Sequence, residues 1–165
     1  MIYIFVEGAD DERFFSNYFA GKAIKIIQYA KMEKKAINGL IKSLSGKNID
    51  FIFTADSDGK TVEEKIEQIA DKYGVDQSTV YIVQYEIESW YLAGINDCET
   101  RKYGMKYYSC TDEITKEKFN SMCPKKLSSL TFKIEILKKY DFDLAKERNK
   151  TFKCFAVKNE REQAV

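Results

Sequence analysis

The sequence predicts an α/β fold: a four-stranded parallel sheet flanked by helices, followed by a helical extension. Three observations carry this. Short apolar runs alternate with longer amphipathic ones through the first half of the chain, as in βαβ units. The short runs are rich in Ile, Val, Phe and Tyr, and are too brief for buried helices. The amphipathic runs carry helix start and stop signals.

Taken in order, residues 2–6 (Ile-Tyr-Ile-Phe-Val) predict the first strand and residues 11–19 a helix. Residues 23–29 predict the second strand, and 31–44 a helix whose stripe is Ile37, Leu40, Ile41 and Leu44. Residues 51–55 predict the third strand. The helix over 61–73 carries Val62, Ile66, Ile69 and Ala70 on one side, with Thr61 and Glu64 placed for a capping box and Gly74 for a C-terminal stop. Residues 80–84 predict the fourth strand, and right-handed crossovers place the helices on both faces of the sheet.

Beyond Gln84 the pattern changes. Residues 85–93 predict a strand end running into a helix, and the polar stretch 96–110 a loop or lid. Three helical segments follow at 111–122, 127–140 and 144–158, with Pro124 breaking the first from the second. The expected organisation is an α/β core over 1–95 and a helical extension over 96–165 packed on it as one compact domain, a size that 165 residues at 44% hydrophobic content allow.

Composition narrows the chemistry. Lys and Arg (27) nearly cancel Asp and Glu (26), so the net charge of +1 gives no global argument for nucleic-acid binding, and any basic surface is local. The absence of histidine excludes Ser-His and Cys-His nucleophile pairs and imidazole bases within this chain, leaving carboxylates, lysines and tyrosines. Cys98, Cys110, Cys123 and Cys154 form no CxxC pair, which argues against zinc and for reduced, mostly structural thiols. No apolar run has the length of a membrane span and no signal-peptide core is evident, so the expectation is a cytoplasmic protein with no membrane partner.

In an open parallel sheet, ligands gather at the carboxyl ends of the strands, and the acidic residues fall there. Strand one runs into Glu7-Gly8-Ala9-Asp10-Asp11, strand three into Asp56-Ser57-Asp58-Gly59, and strand four into Glu86-Ile87-Glu88. Oxygen ligands of this kind suit Mg²⁺ or Mn²⁺. Each group also has an ordinary structural reading. The DxDG segment is a turn with capping aspartates, Asp10, Asp11 and Glu12 are favourable charges in a helix's first turn, and Glu88 is a solvated or N-terminal charge. Glu7, directly after five apolar strand residues, has few structural reasons for its place. The aromatics Trp90, Tyr91, Tyr103, Tyr107 and Tyr108 offer base-stacking surfaces, with core packing the alternative use.

The strand ending in Val6-Glu7-Gly8, the acidic Asp11 four places beyond Glu7, the Phe14-Phe15 pair and the later Ala55-Asp56-Ser57-Asp58 together resemble the TOPRIM domain. The chain is similar to stand-alone TOPRIM-like proteins related to the overcoming-lysogenization-defect class of nucleases. The resemblance covers about residues 1–95. The segment Tyr85-Glu86-Ile87-Glu88-Ser89-Trp90 also resembles the acidic-x-x-Trp element after the last strand in small bacterial members.

The resemblance implies a TOPRIM-like, Rossmann-like sheet and Mg²⁺-dependent phosphoryl transfer on DNA or RNA, in a setting such as phage or mobile-element defence. It implies that Glu7 is a general acid/base or metal ligand and that Asp56 and Asp58 are metal ligands. Asp11 matches the second acidic position of the nuclease-type motif, with Glu86 and Glu88 completing a possible second ion site. On this hypothesis Lys60 neutralises a phosphate oxygen, and Lys125, Lys126 and Lys133 track the nucleic-acid backbone, each being otherwise a solvated surface charge. Two rivals stand beside the nuclease: a non-catalytic component docking on a protein partner such as an ATPase, and a receiver or phosphatase with Asp56 as nucleophile.

Overall fold

The computed structural model describes residues 1–161 and divides into two compact units, Met1–Ile82 and Val83–Val165. The sequence had suggested a boundary at 95 inside one compact domain. The division falls earlier because Trp90, Tyr91 and Leu92 are buried with the helical segments that follow them: Trp90 packs edge-on against Phe152 and near Phe155, and Tyr91 lies beside Phe119.

In the first unit, β1 (Ile2–Val6), α1 (Ala9–Tyr18), β2 (Ile24–Gln28), α2 (Lys34–Gly46), β3 (Phe51–Asp56), α3 (Val62–Tyr73) and β4 (Val80–Val83) alternate as the sequence predicts. The strands form one parallel sheet in the order β2-β1-β3-β4, with Phe5 level with Ile27 on one side and Phe53 on the other. Because side chains alternate across a strand, Phe5, Phe53 and Ala55 face one way. They bury with Ile37, Ile41 and Leu44 of α2 and Ile69 and Tyr73 of α3. Phe5 stacks on Phe53 with ring centroids 4.5 Å apart. Ile4, Val6 and Ile52 alternate to the other direction and are also buried, as are Phe14, Phe15 and Phe19 of the α1 segment.

The helix start signals of α3 hold. The Thr61 hydroxyl accepts from the Glu64 amide at 3.2 Å, the Glu64 carboxylate accepts from the Thr61 amide at 3.0 Å, and Gly74 ends the helix in the left-handed region. A 3-10 turn over Tyr29–Lys31 delays α2 to Lys34, later than the apolar spacing suggested.

The second unit is helical: α4 (Glu88–Ala93), α5 (Asp97–Lys102), α6 (Lys116–Met122), α7 (Ser129–Lys138), α8 (Phe142–Arg148) and α9 (Lys150–Arg161). Two sequence expectations are corrected here. The stretch 96–110 is not loop throughout, since Asn96 caps α5 by accepting the Glu99 amide at 2.9 Å. The segment 144–158 is two helices, because Asn149 leaves the helical region and its Oδ1 accepts the Phe152 amide at 2.9 Å to start α9. The four thiols are free, and Cys98, Cys110 and Cys154 are exposed rather than structural. Among the described residues no helix is long and apolar enough to cross a membrane.

Arg148, 4% exposed, ties this unit together from within. Its guanidinium donates to the carbonyls of Tyr108, Leu92, Ala93 and Ile95 at 2.5–3.2 Å, the last three at or just past the end of α4, where helix carbonyls run short of intrahelical partners. Gly94, just past α4, lies against the Tyr140 ring, and a Cβ there would sit 2.4 Å from it. That ring cannot swing away freely, because its hydroxyl donates to the Trp90 carbonyl at 2.6 Å. Gly94→Ala is therefore expected to destabilise this unit by about 1–3 kcal/mol through overpacking alone. A urea melt in which the alanine variant matches the parent would refute it.

Candidate functional site

The strand order makes the carboxyl ends of β1 and β3 the switch point of the sheet. From β1 the chain goes out to β2 on one side and returns to β3 on the other, so the loops leaving β1 and β3 diverge. Glu7 follows β1 and Asp56 ends β3, on adjacent strands.

Glu7 is held from the protein side. The Tyr29 hydroxyl stands 3.0 Å from Glu7 Oε1 and 3.1 Å from the Thr54 carbonyl, and can donate to either. The Asp56 amide also donates to the Glu7 carboxylate. The Thr54 hydroxyl donates to the Phe5 carbonyl at 3.0 Å, tying β3 to β1 just below the site. Burial pushes the Glu7 carboxyl above its ordinary range and the Asp58 charge adds to this, while the bonds from Tyr29 and Asp56 and the Lys65 charge pull it back. Burial and the neighbouring Glu7 charge hold the Tyr29 hydroxyl far above its ordinary range, so it remains a donor at any ordinary pH.

Asp58 owes its position to a tight turn. Lys60 N donates to the Ser57 carbonyl at 3.0 Å, and the two central residues, Asp58 (φ 51°) and Gly59 (φ 75°), both take positive φ, as type I′ turns require. Asp-Gly is the favoured pair for this geometry, so the turn reading of DxDG holds at the backbone. The turn also lifts the Asp58 side chain, 63% exposed, above the sheet, where its carboxylate pairs with the Lys65 ammonium.

Lys65 is the residue the sequence reading missed. It lies on the face of α3 that carries Ile69 and Tyr73, and its side chain is only 7% exposed. The available signal was a lysine falling within the Val62–Ile69 apolar stripe. Lys60, chosen instead as the phosphate-neutralising lysine, is exposed and lies beside the Glu64 carboxylate.

The remaining acidic candidates have structural partners. Asp11, 8% exposed, accepts the Gly8 amide at 3.1 Å and so closes the start of α1. Glu12 accepts from the Gln28 amide at the end of β2. In the second unit Glu86 accepts the Lys116 amide at 2.6 Å at the start of α6. Glu88 and Lys133, 2% and 3% exposed, form a buried ion pair at 2.6 Å. The expectation that Lys133 tracks nucleic acid from the surface is thereby corrected, while Lys125 and Lys126 are exposed.

Glu7, Asp56, Asp58 and Lys65 are thus gathered within the first unit. Among the described residues no three acidic or thiol side chains stand in an arrangement ready to hold a metal ion, and Asp58 is turned to Lys65. The donor chemistry nevertheless fits a hard divalent cation: all three carboxylates offer oxygen, and a cation would favour the charged form of Glu7 that burial disfavours.

Comparison with protein-family models, curated proteins and solved structures finds no match.

Proposed function

We propose that this chain is a Mg²⁺- or Mn²⁺-dependent phosphoryl-transfer protein of the nuclease type, with Glu7, Asp56 and Asp58 as its working carboxylates. The observation that carries the reading is the placement of Glu7. It is half-buried, raised in pKa and braced by Tyr29, and it stands where the strand order reverses, with the Asp-x-Asp segment beside it.

A carboxyl raised by burial is better suited to proton transfer than an ordinary one. A bound divalent ion would supply charge stabilisation at the phosphate and an activated water. Glu7 and Asp56 would hold it from the sheet and Asp58 from the turn, while Tyr29 keeps Glu7 aimed. The substrate class, DNA or RNA, rests on the resemblance of residues 1–95 to TOPRIM-like nucleases, as does a setting in defence. Asp11, engaged with Gly8, contributes to the site by shaping the β1–α1 turn.

A second reading draws on the ion pair of Lys65 with Asp58. In a non-catalytic component the lysine would neutralise the carboxylates permanently, and the unit would dock on a partner protein. Purified protein is expected to cleave at least one of single-stranded, duplex or structured DNA or RNA with Mg²⁺ or Mn²⁺, and to lose this activity on chelation. Intact substrates throughout, with both ions, would reject the nuclease in favour of the docking component.

A further inference from the structure

We propose that Lys65 is an exchangeable counter-ion of this site: it holds Asp58 until a divalent cation arrives, then yields it and offers its ammonium to the substrate phosphate. The inference rests on the metal reading above and adds a positioning role that no acidic residue fills.

The pair is lopsided in a way that suits exchange. Lys65 is anchored: its stem lies with Ile69 and Tyr73 on the inner face of α3, and its side chain is 7% exposed. Asp58 is the exposed partner, 63% accessible on a two-residue turn. A permanent structural ion pair gains less when one partner stands so far in solvent. The lysine's charge also reaches Glu7, where it opposes the Asp58 charge. Lys65 therefore balances the carboxylate cluster in the absence of metal, and its ammonium and an incoming cation compete for the same oxygen.

Once Asp58 turns to a metal, the anchored ammonium is left in a poorly solvated place beside it. A lysine so placed acts as a compact cation for a phosphate oxygen. Metal and phosphate should then bind cooperatively, because the first releases the group that receives the second.

The experiment measures Mn²⁺ binding by the full chain, from the spectroscopic signal of free Mn²⁺, and inorganic phosphate binding with and without Mn²⁺. Lys65→Met keeps the buried stem and removes the charge, leaving only an exposed aspartate without its partner, so the variant is expected to fold. It should bind Mn²⁺ about tenfold more tightly than the parent, the size of a one-unit electrostatic perturbation, and should lose the enhancement of phosphate binding by Mn²⁺. Lys65→Arg keeps the charge and should stay close to the parent in Mn²⁺ affinity. Unchanged or weaker Mn²⁺ binding by Lys65→Met, or phosphate binding equal to the parent's in the presence of Mn²⁺, overturns the exchange. Mn²⁺ binding by the parent that Asp56→Asn abolishes leaves the metal reading standing in that event, whereas a parent that binds no Mn²⁺ overturns both.

Discussion

Replacing Glu88 by alanine is expected to destabilise the second unit by about 3–5 kcal/mol, the range for removing one member of a buried ion pair. The carboxylate is 2.6 Å from the Lys133 ammonium, with both side chains almost fully buried. The lysine left behind would keep the Tyr91 and Phe119 rings, at 5.8 and 5.6 Å, against its charge. Those contacts contribute about 0.5–2 kcal/mol each at most and cannot replace a carboxylate. Glu88→Leu combined with Lys133→Met, which removes both charges, should recover most of the loss. Trp90, the chain's single tryptophan, is fully buried in the same unit and reports its unfolding by fluorescence. A denaturant melt of Glu88→Ala within about 1 kcal/mol of the parent would show that the pair does not hold the unit together.

The Glu88 case shows where the sequence was legible and where it was not. Strands and crossover helices of the first unit could be read because each repeats a period: two for Phe5 beside Ile4 and Val6, and near 3.6 for Ile37, Ile41 and Leu44. The acidic residues at strand ends could be read because the topology of a parallel sheet sends them to one edge. Partners in tertiary space could not. Glu88 and Lys133 are 45 residues apart, and no local pattern says that two surface-type residues will neutralise each other inside a core. Tyr29 meets Glu7 across 22 residues in the same way.

Local rules were incomplete where a polar residue served the backbone. Asp11, legible both as a ligand and as a first-turn charge, accepts the Gly8 amide at the start of α1, and Asn149, which looked like one more residue of a helix, begins α9. Lys60 was chosen for its closeness in sequence to Asp58, but the turn at Ser57–Lys60 leaves it exposed, and one helical turn later Lys65 returns to the carboxylate. The catalytic expectation passes from one lysine to the other through a backbone reversal that the Asp-Gly pair announces.

Glu7→Gln is the sharpest test of the site, because the change is nearly isosteric and the amide oxygen can still accept from Tyr29. Loss of a general acid/base reduces rate by about 10²–10⁴-fold, and loss of a ligand charge adds to this, so metal-dependent cleavage should fall at least that far. Stability should move in the opposite direction. The folded carboxyl has a pKa above its ordinary 4.5, so the native state binds more protons than the unfolded chain between those two values. The parent's stability therefore falls as pH rises through that window. The glutamine variant has no such group, so its advantage over the parent should be absent below pH 4.5, grow above it and level off past the folded pKa. Added Mn²⁺ should raise the parent's melting temperature by preferential binding to the folded state and raise the variant's less. Cleavage at the parent's rate by Glu7→Gln would remove Glu7 from the chemistry, and a stability difference independent of pH would show that burial does not disfavour its charge. A variant that is inactive, folded and more stable than the parent at neutral pH is what a buried catalytic carboxylate predicts, since the burial that raises its pKa is the same feature that weakens the fold.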